Sequence, residues 1–501
     1  GMVAVGISAR RHAVSVSGFV LGGRSVGPWL TAFAYGTSYF SAVVFVGYAG
    51  QFGWKYGLAS TWIGLGNAAI GSLLAWVVLG RRTRIMTQHL GSSTMPDFFE
   101  KRFDSKPLKI TASVIIFIFL IPYTASIYNG LSRLFEMAFN IPYAVCVVVM
   151  AAFTAVYVIL GGYMATAISD FIQGIIMLFG IVVVVAAVLS GQGGFMNAVY
   201  ELAQLPSDAA PTLGQPGAFT AFFGPDPVNL LGVVILTSLG TWGLPQMIQK
   251  FYAIRNEKAV RTGTVISTVF AVIVSGGCYF LGGFSRLFDD PAIYGADGAV
   301  VYDSIIPFML SKLPDILIGI VVVLVLSASM STLSSLVLTS SSTLTLDLIK
   351  GNLWKNMREE SQIRTMRVLI AVFVAVSVLL AINPPDFIAQ LMGISWGALA
   401  GAFLAPFLYG IYWKRVTRAA VWASFACGVG LTVGNLFFHF IDSAINAGAA
   451  AMVLGLVVVP VVSLITPRQP DKRLQEIFSC YEEKTVLHKK MVVGTEKDNA
   501  E

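Results

Sequence analysis

Residues 327–342 read SASMSTLSSLVLTSSS, and ten of these sixteen residues are Ser or Thr. They follow ILIGIVVVLVL, a run apolar enough to lie in lipid. Ala328, Ser331 and Thr332 are spaced i, i+3, i+4 and so share one helix face, with Ser334 and Ser335 one turn further on. Hydroxyl and carbonyl oxygens are hard donors, which suit a small hard cation such as sodium (Na+) better than sulfur or imidazole would. The competing reading is packing, because Ser and Thr let membrane helices approach closely and hydrogen-bond across the interface. The density of hydroxyls in this one span favours the ion.

Asp170, in GGYMATAISDFIQGIIMLFG, is the one carboxylate well inside an apolar run. An acid within the membrane is costly and points to function. Its ordinary alternatives are a buried hydrogen bond, or a position near enough to the inner end of the span to stay wet. Other chemistry is not supported. The four His (His12, His89, His439, His488) are scattered, and the four Cys (Cys146, Cys278, Cys427, Cys480) show no CxxC spacing. Neither a metal-ligand cluster nor a nucleophilic triad can be assembled from them, so no enzyme activity is expected.

The elements that must position these groups are membrane helices. Of 501 residues, 56% are hydrophobic and only 12% charged, against about a quarter charged in a soluble domain. Many apolar runs reach the roughly 20 residues needed to cross a bilayer as helix. The reading is an all-α polytopic membrane protein with twelve spans near 28–49, 57–80, 107–130, 141–160, 165–191, 228–250, 262–284, 314–346, 365–382, 387–412, 416–438 and 446–466. Starting with residues 10–27 inside and alternating, all Lys and Arg except Lys55, Arg133, Arg286 and Lys312 fall on the inner side. That asymmetry is the positive-inside pattern, and a wrong count would scramble it. The net charge of +7 is therefore a matter of orientation, with no nucleic acid implied. A multi-pass cell-membrane location, as in a bacterial inner membrane, with a cytoplasmic C-terminus, is expected.

Residues 192–227 form a long outer loop without basic residues, and 285–313 include an amphipathic stretch suited to the outer interface. The tail 468–501 is polar and short and reads as a solvated appendage. The apolar start GMVAVGISARR looks like the end of a truncated N-terminal helix. The expected organisation is 1–27 as remnant and cytoplasmic loop, 28–412 as ten membrane helices, 413–467 as two further membrane helices, and 468–501 as the tail.

Two spans carry breaks. AYGTSYFSA (34–42) places Gly36 in mid-span, and TSLGTWGLPQ (237–246) places Gly240, Gly243 and Pro245 within six positions. Proline removes a backbone donor and clashes with the preceding turn. Loosened backbone at membrane depth is tolerated only against protein or a water-filled cavity. Two broken helices five spans apart match an inverted repeat with a binding site at the midplane.

Together the segments GGRSVGPWLTAFAYGTSYFSA, TMPDFFEKRF, GGYMATAISDFIQG, GLPQMIQKFYA, SASMSTLSS and SWGALAGAFLAPFLYGIYWKR carry a resemblance. From about residue 18 to 430 the chain resembles the sodium:solute symporter family, and within it the bacterial sodium/proline permeases. The resemblance implies a leucine-transporter-type five-plus-five inverted repeat with additional C-terminal helices. It implies a main sodium site from the carbonyls of Thr37, Phe40 and Ala328 and the hydroxyls of Ser331 and Thr332. It implies a second sodium site from Asp170, Ser334 and Ser335, together with Ser331. For the substrate, Pro245 matches the permeases. Tyr39, Thr237 and Thr241 stand where those proteins carry an acid, a tryptophan and a tyrosine, which implies an altered pocket. Tyr39, Trp242 and Trp62 are candidate lining aromatics.

The functional expectation is sodium-coupled import of a small polar organic solute by alternating access, with proline or another amino acid first. Monocarboxylates, sugars, vitamin-like solutes and proton coupling are the alternatives within transport. A membrane sensor on the same core would normally carry a signalling domain, and a channel a ring of charges or a filter repeat. The implied partners are the solute and the lipid bilayer, with no obligatory protein partner.

Overall fold

A computed structural model describes residues 2–38, 40–139, 141–383 and 388–482, and among them there is no β-strand. Among the described residues, ten helical runs are long and apolar enough to cross a membrane. Two of them are too long for one crossing. Tyr143–Gly191 has 49 residues, about 73 Å of helix at ~1.5 Å per residue, more than twice the roughly 30 Å hydrocarbon thickness. It breaks at Gly162 (φ 54°, ψ −145°). The run Val43–His89 breaks at Gly57 (φ 59°, ψ −139°). Both conformations are open to glycine and costly for any residue with a Cβ. Division at these glycines turns ten runs into twelve segments, which lie on the twelve spans read from the sequence.

The two expected breaks are present. The first span starts at Pro28, ends its first half at Thr37, and resumes at Val43–Tyr48 as a wide π-turn before Ala49–Tyr56. The sixth span runs Pro227–Gly240, loosens over residues 241–244, and restarts as Pro245–Ala253. Pro245 occupies the first turn of that restart, where its missing N–H costs nothing. The eighth span, Asp315–Thr343, is one continuous helix with every residue from Ser327 to Thr343 buried. Buried hydroxyls call for hydrogen-bond partners, and those of this span meet its own carbonyls and the neighbouring spans, with Ser340 Oγ left without one among the described residues.

Both described ends of the chain pack against the bundle, the tail contrary to expectation. Residues Met2–Ala9 are helical and pack through Gly6 against Tyr157 and Gly161 of the fourth span. The tail is no solvated appendage over its described part. Residues 471–482 are helical, and Leu474, Ile477, Phe478 and Cys480 are buried. The Tyr481 hydroxyl donates to the Ile411 carbonyl at 3.0 Å. Arg102, fully buried, donates to the Gly410 carbonyl (2.8 Å) and to Gln469 (2.9 Å), with the Phe478 ring 5.0 Å from its guanidinium. The tail helix is thus seated on the adjoining ends of the second, third and tenth spans.

On the same face as the tail helix, Lys109 lies 2.9 Å from Asp97 and 2.7 Å from Glu100, and Lys101 lies 2.8 Å from Asp97. Burial alone would raise the Asp97 carboxyl, but the two ammonium groups outweigh it and hold it below the usual carboxylate range. On the opposite face, Arg286 holds Asp208 with two 2.7 Å bonds and donates to the Trp54 carbonyl at 2.7 Å. That fastens the outer loop to the end of the first span.

Candidate ion and solute site

The eighth span presents its hydroxyls to the break in the first. Ser331 Oγ lies 2.8 Å from the Ala328 carbonyl oxygen and 3.0 Å from that of Thr37. Thr332 Oγ1 lies 3.1 Å from the Thr37 carbonyl oxygen, 3.2 Å from that of Ala328 and 3.4 Å from that of Phe40. Bonding back to the carbonyl three or four residues earlier is ordinary for Ser and Thr in a helix. The contacts to Thr37 and Phe40 are not, because they join two spans almost 300 positions apart in sequence.

Proton counting shows what the cluster suits. A hydroxyl has one proton to donate, and a carbonyl none. Two protons serve five close oxygen–oxygen approaches, so three of these bring lone pairs together. All five groups are buried, Ala328 at 3% exposure and the others at 0–1%. A small cation at the centre would relieve that repulsion without any carboxylate, and the hard, neutral oxygen set fits sodium. Beside it, an apolar cavity of about 10 Å³ is lined by Phe40, Val44, Ile181, Val274, Leu324 and Ala328, among others.

One helical turn inward lies a second polar group. Ser38 Oγ and Ser335 Oγ are 2.9 Å apart, and Ser334 donates to the Ser331 carbonyl at 2.8 Å. Asp170 is fully buried, and neither of its carboxylate oxygens meets a hydrogen-bond donor among the described residues. Lys250 stands between them. Its Nζ donates to Ser335 Oγ at 3.1 Å, lies 3.9 Å from Asp170 Oδ2, and sits 5.1 Å from the centre of the Tyr163 ring. Counting basic residues had put Lys250 in an inner loop. The restart at Pro245 instead carries the helix back through the bundle, so that Lys250 is 1% exposed.

The solute candidates divide. Tyr39 lies outside the described residues. Thr241 Oγ1 lies 3.0 Å from the Gly71 carbonyl, which also accepts from the Tyr35 hydroxyl at 2.7 Å. Trp242 Nε1 donates to the Ile70 carbonyl at 2.9 Å. Both acceptors lie in the π-helical stretch Asn67–Leu74 of the second span, and such wide turns recur at functional positions. Thr237 donates back to Val233 at 2.9 Å, so its proton is held by its own helix. Trp62 is engaged elsewhere. Its Nε1 donates to the Phe222 carbonyl, and its ring packs on Phe222 in the outer loop.

Gln246 was missed in the sequence. It follows Pro245, is fully buried, and neither Oε1 nor Nε2 has a partner among the described residues. A buried carboxamide without partners is rare, because it forfeits its bonds to water. A Gln beside the helix-restarting Pro was the available signal.

Comparison with known proteins gives the family and the fold. The profile of the sodium:solute symporter family matches residues 19–428, and the chain belongs to that family of membrane transporters. It is 27% identical to the sodium/proline symporter of Salmonella typhimurium, over 96% of this chain and 93% of that protein. It is 28% identical to the osmoregulated proline transporter OpuE of Bacillus subtilis, over 96% of each. Among solved structures, a sodium-coupled sialic acid symporter in a substrate-bound outward-open state superposes with a TM-score of 0.76 at 16% identity, covering 93% of this chain and 95% of that one. Mhp1, a nucleobase-cation-symport-1 family transporter in a closed conformation, gives 0.54 at 13% identity, covering 92% and 97%. The fold is the leucine-transporter-type one these symporters share.

Proposed function

We propose that this protein imports a small zwitterionic solute, proline or another small amino acid, together with sodium bound by Thr37, Phe40, Ala328, Ser331 and Thr332. The observation that carries the reading is the surplus of lone pairs over protons in that five-oxygen cluster. The sodium-coupled family and the proline symporters among the relatives support it.

Sodium would bridge the break in the first span to the eighth, and so favour the state in which these spans touch. An ion shifts a conformational equilibrium only by its different affinity for the two states. Opening the inner side must therefore separate Thr37 from Thr332 and release the ion. The solute would lie between the two broken spans, with Tyr39, Thr237, Thr241, Trp242 and Pro245 as candidate neighbours. Its carboxylate would meet the loosened amides at 241–244 and the start of the Pro245–Ala253 helix, whose dipole favours negative charge. Gln246 would add donors and an acceptor. One charge crossing the full field gains about 2.3 kcal/mol per 100 mV, so one sodium would sustain roughly a 50-fold solute gradient before its own concentration gradient is added. The distribution of Lys and Arg supports a cytoplasmic tail in a bacterial inner membrane.

The test is uptake by the purified protein in proteoliposomes, with labelled proline and a panel of other amino acids, monocarboxylates and sugars, with and without a sodium gradient. Proline uptake driven by sodium is expected. Uptake of every solute indifferent to sodium would overturn the coupling.

A further inference from the structure

Asp170, Ser334 and Ser335 are the right residue types for a second sodium ion, and the fold brings them together. It also brings a cation with them. Lys250 approaches from the second half of the sixth span, Asp170 from the fifth, Ser334 and Ser335 from the eighth, and Ser38 from the first. The ammonium bonds Ser335 Oγ at 3.1 Å and is 3.9 Å from Asp170 Oδ2. Lysine and aspartate are both withdrawn from solvent, at 1% and 0% exposure. No other basic side chain is paired with Asp170 among the described residues.

We propose that the Lys250 ammonium is a tethered cation that takes the place of a second sodium, so that this transporter carries one sodium per solute. The argument is one of charge and space. A single carboxylate with no hydrogen-bond donors balances one buried positive charge. A sodium added beside Lys250 would leave the group with a net positive charge in a medium that screens poorly. The hydroxyl that would complete its shell, Ser335 Oγ, already accepts from the ammonium. Unlike a sodium ion, the lysine cannot leave with the solute. It moves only as far as its side chain and the sixth span allow.

The inference rests on sodium binding at the five-oxygen cluster, and the test separates the two. Radioactive sodium binding to the purified full chain is counted per protein, and the sodium-to-solute flux ratio and Hill coefficient are measured in proteoliposomes. One sodium per wild-type chain and a Hill coefficient of one are expected. Lys250→Met keeps the length and removes the charge, and it should admit a second sodium with a Hill coefficient rising toward two. Lys250→Arg, and Lys250→Met combined with Asp170→Asn, should bind one. Two sodium ions on the wild-type chain would overturn the inference and leave the symport reading intact. A folded Lys250→Met that still binds one would overturn it as well. Absence of any sodium binding or sodium-driven uptake in the wild type would overturn both. If Lys250→Met does not fold, the wild-type count and flux ratio decide the matter.

Discussion

Thr332 Oγ1 on the eighth span lies 3.1 Å from the main-chain carbonyl of Thr37, at the break in the first. A helix with a complete ladder could not offer that carbonyl sideways. The break and the hydroxyl are therefore one device. Replacing Thr332 with Val keeps the shape and deletes the oxygen. A bond to a charged partner is worth about 1.5–3 kcal/mol, so the sodium concentration for half-maximal uptake should rise about tenfold or more. Thr332→Ser should remain near wild type. Sodium titration of uptake reads both, and an unchanged half-saturation in the Val variant would remove Thr332 from the site.

Gln246 should separate stability from binding. Gln246→Met removes two buried polar atoms that have no partners among the described residues, a defect worth about 1–3 kcal/mol. The melting temperature in detergent should hold or rise, while the KM for solute rises and the sodium dependence stays put. A lower melting temperature with an unchanged KM would make Gln246 a structural residue.

Phe478 tests the seated tail. Its ring is 4% exposed and faces the Arg102 guanidinium. Phe478→Ala should cost at least about 3 kcal/mol, the low end for a buried aromatic, since it also leaves Arg102 without its cover. The thermal unfolding midpoint measures this. An unshifted midpoint would mean that the helix contributes nothing to stability.

Acid should loosen the inner face. The folded-state value of Asp97 is depressed, so its contribution to stability is present above the unfolded value of about 3.9 and is lost as pH falls through the folded one. Melting midpoints measured toward and below about pH 4 should drop for the wild type. Asp97→Asn should be less stable at neutral pH and flatter in acid. Parallel curves would assign the acid sensitivity to other groups.

Which of these features could be read in the sequence follows from how far each depends on distant chain. The spans were legible because hydropathy and the placement of Lys and Arg are properties of local segments. Ser331 and Thr332 were legible because helical spacing alone puts them on one face with Ala328. Lys250 was not. A basic residue closing an apolar run looks like the membrane edge, and only the restart at Pro245 shows that it runs inside the bundle. Asp347, 1% exposed and accepting from Thr94 at 2.6 Å, was hidden in the same way at the end of the eighth span. The tail was misread by composition. Its many charges masked Leu474, Ile477, Phe478 and Tyr481 at i, i+3, i+4, i+7, an amphipathic stripe.

The pairing of Lys250 with Asp170 has an electrical meaning once the main site is seen to be built from uncharged oxygens. If one sodium is the coupling ion, as proposed, the loaded protein would carry one net charge through the field and the unloaded protein none. Membrane voltage would then push on the inward stroke alone. The return stroke would be electrically silent, and a strongly polarised cell could drive uptake without stalling the carrier on its way back.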